Sequence, residues 1–304
     1  MDPQRIIVAV KWGASAGRKA VVVPGQLVRV GRGALADLVV PGDPQMSAVH
    51  LEIAWNGQSC TFRDLASARG TSRNGEPGVT EGDLRHGDWL KAGDTVLTIH
   101  KEGATPPPRT TMDDDVDDED QPPDEAASRE RDERRERESS AARALAVLQE
   151  TENQPLYAVL DAARDRRILE LLRESVEEHH SLYDGIEGET MAHVAPYLVR
   201  LDPGSRLLAA LTQEGWGKRW GIYLTSPQPF KSVRRHLRRY LMVERQDDRE
   251  KVYFRFYDPA VLRVFLPAST VMQRGELFGA LDRFLFEGEH GEITVARAIP
   301  QESV

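Results

Sequence analysis

The stretch VRVGRGALADLVVPGDPQMSAVHLE, residues 28–52, decides how this chain is read. It leaves one strand-like run through Gly31-Arg32 and enters another after Ser47-Ala48-Val49-His50. A nucleotide-binding P-loop needs Gly-Lys followed by Ser or Thr at the head of a helix, and a dinucleotide loop needs a third glycine. Neither is present. Outward from this stretch the pattern is one of short strands: RIIVAV, KAVVV, LVRVG, DLVV, HLEIAW, CTFRDL and DTVLTIH, with Gly, Pro, Asn and Asp between them. No amphipathic helix interrupts residues 5–100, so the N-terminal part is expected to be an all-β sandwich.

The chain has 304 residues, long enough for two domains with cores of their own. Its formal net charge of −9 argues against a general nucleic-acid binder. The single cysteine, Cys60, excludes an intrachain disulfide framework and a Cys-rich zinc site, which suits a reducing cytoplasm. No basic start with an apolar run marks a signal peptide, and no stretch is apolar enough to span a membrane.

Composition changes at residue 103. Residues 103–140 carry two proline clusters, the acidic block DDDVDDED and then mixed charges, with almost nothing apolar. Such a segment cannot bury enough surface to offset the entropy of ordering, so a solvated linker is expected over 103–150, with helix formers at its end. From 151 to 304 strand-like and helix-like segments alternate, giving an α/β or α+β domain. Helices are expected over RRILELLRESVEEHH, SRLLAALTQEG, KSVRRHLRRYLMV, PAVLRVFL and GELFGALDRFLFE, and strands over LYAVLDA, APYLVRL, RWGIYLTS and VYFRFYD.

The combination of Gly31-Arg32, Ser47 with His50, Gly70-Thr71 and Asn74-Gly75 resembles the fork head-associated domain, over about residues 5–100. The resemblance implies a phosphothreonine site on loops at one end of the sandwich, assigned to residues 1–102. It would be made by Arg32, Ser47, Arg69, Thr71 and Asn74, with Gly31, His50 and Gly75 in support. The chemistry agrees: a guanidinium offers a planar fork to a phosphate dianion, and a serine hydroxyl adds a hydrogen bond. Two positions depart from the family, Ala48 for a polar or basic residue and Arg69 for a backbone-gripping Asn. Arg69 would bring a second cation in place of the lost donor. Thr110 and Thr111, each followed three residues later by aspartate, are candidate phosphorylation sites and so candidate ligands of the chain's own first domain.

The second half offers no catalytic constellation. His179-His180 lack the i, i+4 spacing of a helical zinc site and read as a solvated helix end. Ser181, Asp184 and His193 lack a nucleophile elbow. No cofactor and no metal are expected. Arg234, Arg235, Arg238 and Arg239 cover one face of a helix whose other face is Val233, Leu237, Tyr240 and Leu241. They form a candidate surface for an acidic partner rather than for nucleic acid.

Seven blocks in order, from PLYAVLDAARD through GWGKRWGIYL and FRFYDPAVLRVFLP to FGALDRFLFE, resemble the domain of unknown function 4123. The resemblance covers about residues 155–287. It implies an adaptor of bacterial type VI secretion, which holds an effector and delivers it to the valine-glycine-repeat spike protein, without catalysis. Within it, Arg255 and Asp258 read as a structural pair, Pro259 as the first residue of a helix, and Trp216 and Trp220 as core. The whole chain is thus expected to be a cytoplasmic, non-enzymatic adaptor with a phosphothreonine-reading module. Its rivals are a hydrolase recruited through that module and a signalling scaffold unrelated to secretion.

Overall fold

The computed structural model describes residues 4–13, 15–107, 125–150, 154–183, 191–244 and 251–298. Thr110, Thr111, most of the acidic block's surroundings and Asp184 lie outside the described residues. The chain divides into two compact units, residues 1–106 with 173–176, and residues 107–172 with 177–304.

The first unit is a β-sandwich of two five-stranded sheets. One runs β2 (Lys19–Val22), β1 (Ile6–Trp12), β10 (Thr95–Lys101), β9 (Trp89–Ala92) and β7 (Thr71–Arg73). The other runs β4 (Leu38–Val39), β3 (Gln26–Gly31), β5 (Leu51–Trp55), β6 (Cys60–Asp64) and β8 (Glu81–Leu84). Alternate residues of each strand point inward, as a period of two requires. Val8, Val10, Leu97 and Ile99 from one sheet therefore meet Val28, Val30, Ile53 and Phe62 from the other in a single core. β3 and β5 are antiparallel with Val30 opposite Leu51, which sets Gly31-Arg32 beside the loop that delivers His50.

The second unit has a six-stranded sheet in the order β12 (His179–Ser181), β13 (Pro196–Leu201), β11 (Leu156–Asp161), β14 (Gly221–Thr225), β17 (Arg283–Glu287) and β18 (Ile293–Arg297). Every neighbouring pair is antiparallel, which places the unit in the α+β class in the strict sense. All six residues of β11 are buried, so its sequence shows no alternation. Tyr157 and Val159 enter one core, with α4 (Phe230–Arg238), α5 (Pro259–Ala268) and α6 (Val271–Phe278). Leu156, Ala158 and Leu160 enter the other, with α2 (Arg166–Arg173), α3 (Arg206–Gly215) and the end of α1 (Glu125–Gln149). The helix former content at 125–149 thus does form a helix, and Ala141, Ala144 and Leu148 are buried.

Three helices are shorter than their periodicity suggests. The expected helix over 166–180 stops at Arg173, leaving Val176 beyond it, and His179-His180 pair with Val199 and Leu198 in the sheet. The expected helix over 275–287 breaks at Gly279, whose φ of +52° ends α6, and Arg283–Glu287 turn into a strand. The helix from Lys231 ends at Arg238, although Leu241 still reaches the core. Of the expected strand VYFRFYD only the start is one, β16 (Lys251–Tyr253), paired with β15 (Met242–Glu244). The last residue of α3, Gly215, is glycine for a packing reason: a Cβ there would lie 2.4 Å from the Trp220 ring.

Candidate functional site

β3 ends where only glycine fits. A Cβ on Gly31 would lie 2.2 Å from the Ala48 carbonyl oxygen, so the Arg32 and Ser47 loops lie in direct backbone contact. Arg32 N–H donates to Ser47 O at 3.1 Å and Gly33 N–H to Ala48 O at 2.9 Å. This fixes the Arg32 main chain beside Ser47 while its side chain stays exposed. A third loop joins through Ser47, whose Oγ accepts from Ala68 N–H at 3.0 Å.

His50 ties the same loops together from below. It is fully buried, Nδ1 accepts from Ser47 N–H at 3.2 Å, and Nε2 lies 3.1 Å from Gly70 O. A backbone N–H can only donate, so Nδ1 is the bare nitrogen and Nε2 carries the proton to Gly70. Burial lowers the pKa of His50; the Gly70 bond and the Asp64 charge oppose that without overcoming it. The neutral imidazole is therefore the form that fits.

Asp64, which sequence reading passed over, organises the third loop. It accepts from Ser67 N–H at 2.7 Å, from Ser67 Oγ at 2.7 Å and from Thr71 Oγ1 at 2.5 Å. Burial acts to raise its pKa, but these bonds outweigh burial and hold it below the usual carboxylate range. The signal available in the sequence was DLASARGT, an aspartate with hydroxyls three and seven residues on.

Two of the expected contact residues are engaged within the fold: Thr71 is buried, and Asn74, although exposed, bonds through its amide to the adjoining strand. Thr71 is 1% exposed and its hydroxyl is committed to Asp64, so it shapes the loop and does not meet a ligand. Asn74, with φ of +50°, and Gly75, with φ of +92°, are the central residues of a two-residue turn closed by mutual Arg73–Glu76 backbone bonds. The Asn74 amide donates to Asp88 Oδ1 at 2.8 Å and accepts from Trp89 N–H at 2.9 Å. Both ends of the amide thus help to hold the turn. Arg69 sits between Ala68 and Gly70, the two residues bonded to Ser47 and His50, and is exposed. Among the described residues, neither the Arg32 nor the Arg69 guanidinium has a partner.

In the second unit the four arginines of the helix face separate. Arg234 donates through Nε to Ser181 O at 2.8 Å and through its terminal nitrogen to Tyr183 O at 3.3 Å, so it fastens α4 to the segment after β12. It is not available to a partner. Arg238 is half-buried and engaged, whereas Arg235 and Arg239 are exposed.

Arg255 and Asp258 are structural, but they do not pair with one another. Asp161, 1% exposed, is bonded to Arg255 and lies 3.5 Å from Arg164. Asp258, 3% exposed, takes Arg164 at 2.5 Å and Arg219 at 2.6 Å, and also caps α5 by accepting from Ala260 N–H. Pro259 begins that helix as expected. Trp216 and Trp220 are core, each 4% exposed. The partners Asp161, Arg164 and Arg219 lie 39 to 94 residues from their counterparts, a separation that no local motif encodes. Ser181 Oγ accepts from Tyr183 N–H and His193 stands in a 3₁₀ turn, so the two described members of the imagined triad are not brought together by any bond. Among the described residues, no cluster of His, Cys, Asp and Glu could hold a metal ion, and no helix is long and apolar enough to cross a membrane.

Two family models match. Residues 156–276 match the domain of unknown function DUF4123, and residues 10–103 match the cytoplasmic domain of the inner membrane component of type III secretion. Solved structures similar to the first unit include an FHA domain studied for phosphothreonine-dependent interactions, 32% identical, covering 32% of this chain and 95% of that one, with a TM-score of 0.29. The FhaA FHA domain complexed with the intracellular domain of Rv3910 is 33% identical, covering 31% and 99%, with a TM-score of 0.29. The FHA domain of CT664 from Chlamydia trachomatis is 24% identical, covering 32% and 96%, with a TM-score of 0.30. No curated protein matches the chain.

Proposed function

Since the chain belongs to the fork head-associated family through its first unit and carries a DUF4123 domain in its second, we propose that it is a non-enzymatic adaptor acting in the cytoplasm. The first domain binds a phosphothreonine-containing protein. The second holds a secreted effector and presents it to the valine-glycine-repeat spike of a type VI secretion machine.

The observation that carries the first half is the exposed, unpartnered Arg32 guanidinium, held beside Ser47 by a backbone hydrogen bond. Ser47 Oγ accepts from Ala68 N–H and so keeps its own O–H for a phosphate oxygen. A charged fork and a hydroxyl on one rigid lip suit a dianion. Arg235 and Arg239, exposed on α4, support a contact with an acidic partner surface in the second half.

Fluorescence anisotropy of the full chain with a phosphothreonine peptide library tests the first half. Binding is expected, and it should fall at least tenfold in Arg32→Ala, since a charge-assisted pair contributes about 1.5–3 kcal/mol. Failure of every phosphopeptide defeats it. Co-expression with candidate secreted toxins tests the second half: a soluble complex whose crosslinks map only to residues 1–102 would overturn the adaptor assignment.

A further inference from the structure

The Arg69 guanidinium is the least explained charge of the first unit. It stands where a neutral amide would serve, it is exposed, and it has no partner among the described residues. Its backbone is not loose. Ala68 N–H is bonded to Ser47 Oγ and Gly70 O to His50, so the residues on both sides of Arg69 are fixed to the segment that also holds Arg32. The acidic groups of this loop are spent elsewhere: Asp64 is occupied by Ser67 and Thr71, and Asp88 by Asn74, Arg73 and the Arg85 N–H. Two uncompensated cations thus face solvent on loops joined through one short segment, residues 47–50.

A phosphothreonine dianion has three acceptor oxygens and is already matched by one arginine fork and a hydroxyl. A second arginine on the neighbouring loop has its own anion to find.

Resting on the phosphothreonine reading, we propose that Arg69 forms a second anion subsite, and that the preferred ligand is a phosphothreonine peptide carrying a further negative group close to the phosphothreonine. That group is an aspartate or glutamate carboxylate or a second phosphate; both offer the paired oxygens a guanidinium grips. Ala48, where a further polar or basic donor is missing, makes the total affinity for a singly charged site lower and the second contact more consequential.

The test uses the full chain and a set of phosphothreonine peptides in an alanine–serine background. One peptide has no other charge; the others carry a single aspartate, lysine or phosphoserine at each position within three residues of the phosphothreonine. At least one aspartate position is expected to bind about three- to fivefold more tightly than the neutral peptide, the range open to an exposed pair, with a larger gain for phosphoserine at the same position. The preference should shrink at high salt. In Arg69→Ala the ratio falls to about one, in Arg69→Lys part of it remains, and in Arg69→Glu lysine replaces aspartate as the favoured residue. Equal binding of neutral and acidic phosphopeptides by the unaltered chain overturns the subsite and leaves phosphothreonine recognition standing. So does an Arg69→Ala variant that weakens all peptides alike, which would put Arg69 on the same phosphate as Arg32. Failure of every phosphopeptide overturns both readings.

Discussion

Two regions of the molecule, the loop end of the sandwich and the network around Asp161 and Asp258 in the second unit, use arginine in opposite ways. On the sandwich, Arg32 and Arg69 project from loops whose backbones are fixed by hydrogen bonds, and their guanidiniums are left open. In the second unit, Arg164, Arg219 and Arg255 converge on Asp161 and Asp258, two carboxylates 1% and 3% exposed. The first arrangement keeps charge available for an incoming anion; the second consumes it to bring distant segments of chain together. A motif rich in arginine is therefore not evidence of a binding surface until the partners of each guanidinium are counted.

The sharpest way to break this contrast is to remove a buried carboxylate. Asp258→Ala leaves Arg164 and Arg219 without their shared partner and uncaps α5 at Ala260. Because Arg164 and Arg219 stay partly solvated, the loss is that of the charge-assisted bonds and the cap, about 2–4 kcal/mol. Hydrogen–deuterium exchange of β11 and α5 should rise by orders of magnitude, while the sandwich strands keep their protection. Unchanged exchange in β11 would mean that the network is ornamental. The corresponding change on the sandwich, Arg32→Ala, should leave exchange and unfolding within about 0.5 kcal/mol of the unaltered chain, because an exposed, unpaired side chain is being lost. Only phosphopeptide binding should suffer.

The same contrast explains what could be read in the sequence. The strands that build the sandwich core were legible because one face alternates. β7, β8 and β9, with sequences TSR, EGDL and WLKA, are not legible: each is only three or four residues long, too short to show a period, and pairing with neighbours makes them strands. The pairing of the Arg32 and Ser47 loops follows from a pattern, Gly-Arg and then Ser-x-x-His, that the family resemblance makes legible. That the Thr71 hydroxyl is bonded to Asp64 and the Asn74 amide to Asp88 is not legible, because residue type does not say which partner a hydroxyl or amide finds. In the second unit, apolar periodicity extends helices into segments where β-pairing wins, as at His179-His180 and Arg283–Glu287. Nothing local could reveal that Asp161 meets Arg255 across 94 residues.

A smaller effect should sharpen the role of His50 as the brace between loops. Its pKa is lowered by burial, so between the unfolded value of about 6.5 and the lower folded value the unfolded chain binds a proton that the folded chain refuses. Stability of the sandwich is therefore greatest above about pH 6.5 and falls as pH drops through that window. Protonation would also put a donor on Nδ1 facing the Ser47 N–H donor, breaking the link to the Ser47 loop. His50→Gln does not titrate, so its loop exchange rates should change less with acidification than those of the unaltered chain. His100, whose pKa burial lowers to about 4 with help from the His86 charge, is present in both proteins and cancels in the comparison. Identical pH profiles would remove His50 from this role.

The smallest effect concerns α4, where the two uses of arginine occur on one helix. Arg234 is bonded to the carbonyls of Ser181 and Tyr183, whereas Arg235 and Arg239 point to solvent. Arg234→Ala removes charge-assisted bonds to two backbone carbonyls and should destabilise the second unit by about 1–3 kcal/mol. Reversal of Arg235 and Arg239 to glutamate should leave unfolding within about 0.5 kcal/mol and act only on a complex. Rim charges of this kind change association rate and salt dependence more than dissociation. In the double variant, effector association measured by surface plasmon resonance should slow by several-fold at low salt and converge with the unaltered chain at high salt. If the variant instead loses affinity for generic double-stranded DNA, and the unaltered chain binds DNA with a steep dependence on salt, the face serves phosphate backbones. If neither effector nor DNA responds, Arg235 and Arg239 are solvated charges, and the engaged arginines of this face serve the fold alone.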